Sequence, residues 1–104
     1  MPSQEVERDE RVLVEEEVKV EEPPLYRVLL HNDDFTTMDF VVYILIHVFH
    51  RNDEDAVRLM LQVHNAGAGV AGIYTHEVAE MKVEQTTQLA RAHEFPLLCT
   101  MERV

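Results

Sequence analysis

From Leu25 onward the hydrophobic positions alternate between strand-like and helix-like spacing, and each change of spacing marks an element. Leu25–His31 (Leu-Tyr-Arg-Val-Leu-Leu-His) is rich in β-formers and predicts a strand. Phe40, Val41, Ile44, Leu45 and Val48 recur at helical spacing and predict a helix ending about His50. Its start falls at Thr36-Thr37-Met38-Asp39, which resembles a capping box with Thr36 as the cap and Asp39 three residues on. Asn52-Asp53-Glu54-Asp55 opens a second helix, because acids suit the positive end of a helix dipole. Its stripe is Ala56, Leu59, Met60, Val63 and His64, and Gly67 is its expected stop. Val70–Thr75 predicts a strand among glycines. A third helix starts at Thr75 or His76 and carries Val78, Ala79, Lys82, Val83, Thr86, Leu89 and Ala90. Pro96 ends it, and Leu97–Met101 is the last strand. The order β-α-α-β-α-β predicts an α+β fold, a small three-stranded antiparallel sheet packed against three helices.

Residues 1–24 follow neither spacing. They hold nine acids against three bases, a net of −6 within the formal −11 of the whole chain. They lack aromatic residues and end in Pro23-Pro24, so a disordered acidic extension is expected there, followed by one folded domain over 25–104. Val12, Leu13, Val14, Val18 and Val20 are the exception, and could form a transient strand or dock on a partner.

Charge narrows the function classes. Binding to nucleic acid needs clustered Lys and Arg to neutralise phosphates, and this chain is strongly acidic, so no nucleic-acid partner is expected. Anionic membrane surfaces are disfavoured for the same reason, and no apolar run reaches the roughly 18 residues of a spanning helix. The acidic N-terminus carries neither a signal-peptide core nor an Arg/Ser-rich transit pattern. The single Cys99 has no disulfide partner, which points to a reducing cytoplasm. Six histidines raise the question of a metal. His47 and His50 are three apart on one helix, but no second pair has matching spacing, so no metal and no cofactor is expected.

The informative segment is Leu30-His31-Asn32-Asp33-Asp34-Phe35-Thr36-Thr37-Met38, where a strand gives way to a helix. No activated nucleophile, base and oxyanion donor sit together, so it does not read as a catalytic centre. An amide and two carboxylates beside apolar side chains suit a small cation carrying a hydrophobic group, such as a peptide's first residue. Met60, Val63 and His64, spaced i, i+3 and i+4, put two apolar groups and an imidazole on one helix face. Seen alone, Asn32-Asp33-Asp34 is an ordinary turn followed by helix-start acids, and Met60 and Val63 are core positions. The spacing leaves both readings open.

Tyr26-Arg27-Val28-Leu29-Leu30-His31-Asn32-Asp33-Asp34-Phe35-Thr36 resembles the opening strand and loop of the ClpS family, adaptors of the bacterial Clp protease. The resemblance continues through Met60–His64, Gly72–Val83 and Pro96–Glu102, in the family's order over essentially all of 25–104. It implies an N-degron adaptor without catalytic activity. Such a protein binds substrates beginning with Leu, Phe, Tyr or Trp. It hands them to the AAA+ unfoldase ClpA, or ClpC in some bacteria, for degradation by ClpP. The family match places Asn32, Asp33 and His64 around the α-amine, with Asp34 and Thr36 nearby. It adds Met38, Val41 and Leu97 to Met60 and Val63 as pocket walls, with Met38 resembling a gatekeeper against β-branched first residues. Glu77 and Lys82 are implied contacts to the unfoldase's N-terminal domain, with Glu80 nearby. The position of residues 1–24 matches the flexible extension that the unfoldase engages.

If neutral His64 accepts from the ammonium, affinity should fall as the imidazole takes up a proton. Two departures from the family pattern stand out. Thr37 replaces a frequent Pro, which should loosen the loop slightly, and Ala68 replaces a common basic residue. The alternative function is an unfoldase-binding regulatory module with an idle or differently specific pocket. A monomer is the expected state for a small domain without an evident exposed apolar face.

Overall fold

The alternation in β1 (Leu25–His31) sets the architecture: Val28 and Leu30 are fully buried, while Arg27, Leu29 and His31 between them stay partly exposed. A strand buried on one face needs helices on that face and neighbours along both edges. The computed structural model, which describes residues 22–104, supplies both. β1 lies between β2 (Ala68–Thr75) and β3 (Leu98–Arg103) in a three-stranded antiparallel sheet of order β2-β1-β3. The helices are α1 (Met38–His47), α2 (Asp53–Ala66) and α3 (His76–Ala92). The chain order is β-α-α-β-α-β, as the hydrophobic pattern indicates. The extension expected over 1–24 lies outside the described residues, apart from exposed Glu22, Pro23 and Pro24.

α3 packs on all three strands, α2 on β2 and α1 on α2. Val28, Leu30, Ile44, Leu45, Ala56, Val63, Ala71, Ala79, Ala90, Leu97 and Cys99 meet in one core. The opposite face of the sheet is open. It carries exposed Ile73 and Leu98, the Arg27–Glu102 ion pair at 3.2 Å and a His31–Thr100 hydrogen bond at 2.7 Å. The β1–β2 register jumps where Val28 faces Gly72 and Leu29 faces Val70, which leaves Ala71 as the extra residue of a bulge. Its carbonyl accepts two hydrogen bonds from Arg51, from Nε at 3.0 Å and Nη2 at 2.7 Å, so a buried polar group is not orphaned.

The helix ends differ from the sequence expectation in instructive ways. α1 is capped by Thr37, whose hydroxyl accepts from the Phe40 N–H at 3.1 Å, not by Thr36. The Thr36 hydroxyl is turned instead toward Asp33, to which it donates. Thr37 therefore fastens the helix start, where a loosening was expected. α2 begins as expected at Asn52, whose side chain accepts from the Asp55 N–H at 2.8 Å, and stops at Gly67 with φ +90°. α3 ends at Ala92, before Pro96 can act. The Phe95 N–H bonds the Ala90 carbonyl at 2.8 Å and the Glu94 N–H bonds the Arg91 carbonyl at 3.1 Å. With Glu94 at φ +61°, this is a Schellman closure built without glycine.

Candidate functional site

Two element ends make the site, and one backbone hydrogen bond joins them. Where β1 finishes, the Asn32 N–H donates to the Gly67 carbonyl at 2.8 Å, the residue that closes α2. Beyond it Asp33 folds the loop back on itself. Its Oδ1 accepts from the Phe35 N–H at 2.8 Å and the Thr36 N–H at 2.7 Å, and its Oδ2 accepts from the Thr36 hydroxyl at 2.7 Å. Aspartate is suited to this because its short carboxylate reaches the N–H groups two and three residues on. Partial burial pushes the Asp33 carboxyl up, but the bonds from Thr36 and Phe35 outweigh it and hold the group below its ordinary value. A carboxylate has about four acceptor positions, so three internal bonds leave roughly one for a ligand.

Between this loop, the start of α1 and the C-terminal half of α2 lies a cavity of about 220 Å³. Its lining is Asn32, Asp33, Asp34, Thr36, Met38, Val41, Met60, Val63 and His64. The polar members come from the loop and from His64, and the apolar ones from α1 and α2. Val41 and Val63 are buried, Met60 is half-buried and Met38 is 44% exposed, so the apolar part deepens from the methionines to the valines. A cavity near 150 Å³ admits benzene, so this one has room for an aromatic or branched aliphatic side chain. Hydrogen-bond acceptors beside it come from the Asn32 amide, the Asp33 and Asp34 carboxylates and a neutral His64 ring. The arrangement can hold an ammonium and bury the apolar group attached to it.

Leu97 was expected on the wall. It is only 1% exposed, belongs to the core cluster and is absent from the cavity lining. Gly69 is a support the sequence reading missed. A Cβ there would stand 2.9 Å from Val63 Cγ2, so only glycine lets β2 pass behind that wall. The signal was the Gly67-Ala68-Gly69 spacing, since glycine inside a strand marks close approach.

The family described as ATP-dependent Clp protease adaptor protein ClpS matches residues 21–100. The ATP-dependent Clp protease adapter protein ClpS of Caulobacter vibrioides (strain NA1000 / CB15N) is 54% identical over 92 residues, which cover 88% of this chain and 84% of that protein. The protein of the same description from Nitratidesulfovibrio vulgaris (strain DSM 19637 / Miyazaki F) is 55% identical over 97 residues, 93% of this chain and 95% of that one. This chain belongs to the ClpS family. Among solved structures, Agrobacterium tumefaciens ClpS2 bound to L-phenylalaninamide superposes with a TM-score of 0.77 at 35% identity, covering 80% of this chain and all of that one. ClpS proteins are adaptors of the Clp protease.

The second expected site of this ClpS domain sits on α3. Glu77 and Glu80 are exposed, and Glu80 lies 3.7 Å from the His76 ring. Lys82 is half-buried and its Nζ donates to the Val48 carbonyl at 2.7 Å, so it also closes the C-terminal end of α1. None of the three lines the cavity. Among the described residues no three His, Cys, Asp or Glu side chains gather as a metal site would need, and no helix is long and apolar enough to cross a membrane.

Proposed function

We propose that the protein is an N-degron adaptor of the cytoplasm. It binds the free α-amine and bulky hydrophobic first residue of a substrate, Leu, Phe, Tyr or Trp, and delivers that substrate to the ClpA or ClpC unfoldase for degradation by ClpP. The observation that carries this reading is one cavity in which four amine acceptors border a side-chain-sized apolar slot. L-phenylalaninamide, the ligand of the structural neighbour, is a free amine, an aromatic side chain and an amide, which is the chemistry of a peptide's first residue. The ammonium makes charge-assisted bonds to Asp33 and Asp34 and further bonds to Asn32 and His64. The first side chain enters between Met38, Met60, Val41 and Val63. Glu77, Glu80 and Lys82 mark the face that meets the unfoldase's N-terminal domain, where charged rim residues tune encounter and partner choice.

Fluorescence anisotropy with a Phe-first peptide tests the pocket, beside its N-acetylated twin and a Met-first control. Micromolar or tighter binding of the free-amine Phe peptide alone is expected, because acetylation removes the positive charge and the donors that the Asp33 and Asp34 carboxylates would accept from. Equal binding of all three peptides, or of none, would reject the pocket. Delivery is tested separately, by ClpP-dependent loss of a Phe-first reporter with and without Glu77→Ala/Lys82→Ala.

A further inference from the structure

α1 has a second flank that nothing in the amine cavity uses. Met38 and Val41 face the cavity. Asp39, Phe40 and Tyr43 sit on the other side, because at about 100° per residue the two sets are centred roughly half a turn apart. There, with Thr37, His93 and Phe95, they line a pocket of about 290 Å³ between the start of α1 and the end of α3. Four rings meet in it. Phe40, only 7% exposed, forms the base, and the ring centroids of Phe95, His93 and Tyr43 stand 4.7, 5.3 and 6.1 Å from its own. The left-handed turn at Glu94 accounts for two of them, since its neighbours His93 and Phe95 both return to Phe40 of α1. Tyr43 and Asp39 are exposed at the rim, and Asp39 makes no ion pair among the described residues.

We infer that this pocket is a second binding site, independent of the amine cavity, and that it takes an arginine side chain presented by a partner protein. The face of an aromatic ring is electronegative and attracts a cation held within about 6 Å of the centroid. A pocket walled by rings, with a carboxylate at its rim, therefore favours a cation over a neutral group of the same size. Room is ample, since a cavity near 150 Å³ admits benzene and this one is larger. A guanidinium suits the walls better than an ammonium. It is planar, stacks on rings, is more weakly hydrated, and can turn two parallel N–H groups toward the Asp39 carboxylate. The formal charge of −11 on the chain draws a cationic surface in the same direction. The domain's own Arg91 does not fill the place: its Nη1 donates to the Phe95 carbonyl at 2.7 Å, and it is not part of the lining.

The test is an NMR titration of the isotope-labelled full chain with the peptide acetyl-Gly-Ser-Arg-Ser-Gly-amide. Its blocked amine gives the cavity no ammonium to hold. Two further peptides replace the arginine by citrulline, its uncharged isostere, or by lysine. A histidine ring joins such a wall only when neutral, so the titration is run at pH 8. The arginine peptide should give saturable amide shifts in the millimolar range at Asp39, Phe40, Tyr43, His93 and Phe95. Lysine should bind more weakly, and citrulline roughly fivefold more weakly or not at all. Tyr43→Leu keeps apolar area but removes a ring, and Asp39→Asn removes the charge. Each should weaken the arginine peptide roughly two- to fivefold, with the amide spectrum away from the pocket unchanged as the sign of an intact fold. Citrulline binding as tightly as arginine would make the pocket merely apolar and overturn the inference. Shifts confined to Asn32–Thr36 and His64, no saturable shift at all, or full affinity in both variants would overturn it too. Lysine binding as tightly as arginine would overturn the choice of arginine. None of these outcomes bears on capture of a first residue, because the two sites share no lining residue.

Discussion

Asp33 has two duties, and substitutions separate them. It organises the loop through three hydrogen bonds and, on the proposed reading, offers charge to an ammonium. Asp33→Asn keeps an oxygen for the Phe35 and Thr36 N–H groups but loses the charge. It should weaken a Phe-first peptide roughly tenfold or more while the melting temperature moves little. Asp33→Ala loses the turn as well and should cost about 1 kcal/mol of stability besides, read from a denaturant titration. Unchanged affinity in Asp33→Asn would show that the charge is idle. Because the folded carboxyl is held below its ordinary value of 3.8, its stabilising share is present above that pH. It is lost as the pH falls further, through the folded value. Asp33→Asn should therefore flatten the acid limb of the unfolding curve below about pH 4. At Gly69, an added methyl meets Val63, a β-branched side chain with little freedom to turn aside. Gly69→Ala should narrow the slot and select against Trp and Phe first residues relative to Leu, measured as a ratio of affinities.

At the scale of elements, three described residues take left-handed backbone, His50, Gly67 and Glu94, and the last two close helices with opposite sequence chemistry. Gly67 at φ +90° has open space around its would-be Cβ, so Gly67→Ala should cost about 1 kcal/mol from the backbone alone. Glu94 at φ +61° pays the penalty that glycine avoids, and Glu94→Gly should raise stability by up to about 1 kcal/mol. Thermal melts of the two variants should thus move in opposite directions. The contrast explains what the sequence disclosed. The end of α2 was legible because glycine announces it. The end of α3 was not, because a glutamate carries no such signal and Pro96 was the nearer landmark. The start of α1 slipped by one residue because two adjacent threonines fit a cap equally well. In the fold Thr37 accepts from the Phe40 N–H while Thr36 turns to Asp33. The cavity lining was legible chiefly through the family motifs, since spacing alone cannot tell a pocket wall from a core position. Leu97 shows that limit, an apolar residue expected on the wall that the fold uses as core.

At the scale of the whole molecule, one core serves every element, so its chemistry can be probed anywhere. Burial pushes the Cys99 thiol up to about 11, with a Thr86 contact opposing it weakly. A thiol so protonated is unreactive, and the folded protein should resist alkylation at pH 8 until denaturant is added. Rapid labelling of the native state would mean that β3 opens readily from the sheet. The bond from the Asn32 N–H to the Gly67 carbonyl has a consequence for when the molecule becomes competent. It links positions far apart in the chain, and both the loop and α2 contribute walls to the slot. A growing or partly unfolded chain therefore owns the loop residues long before it owns a place to put a ligand. On the proposed reading, the ability to hold a first residue therefore arrives only when the loop has docked on the end of α2, and a copy in which that dock loosens would lose its ligand before it lost its helices.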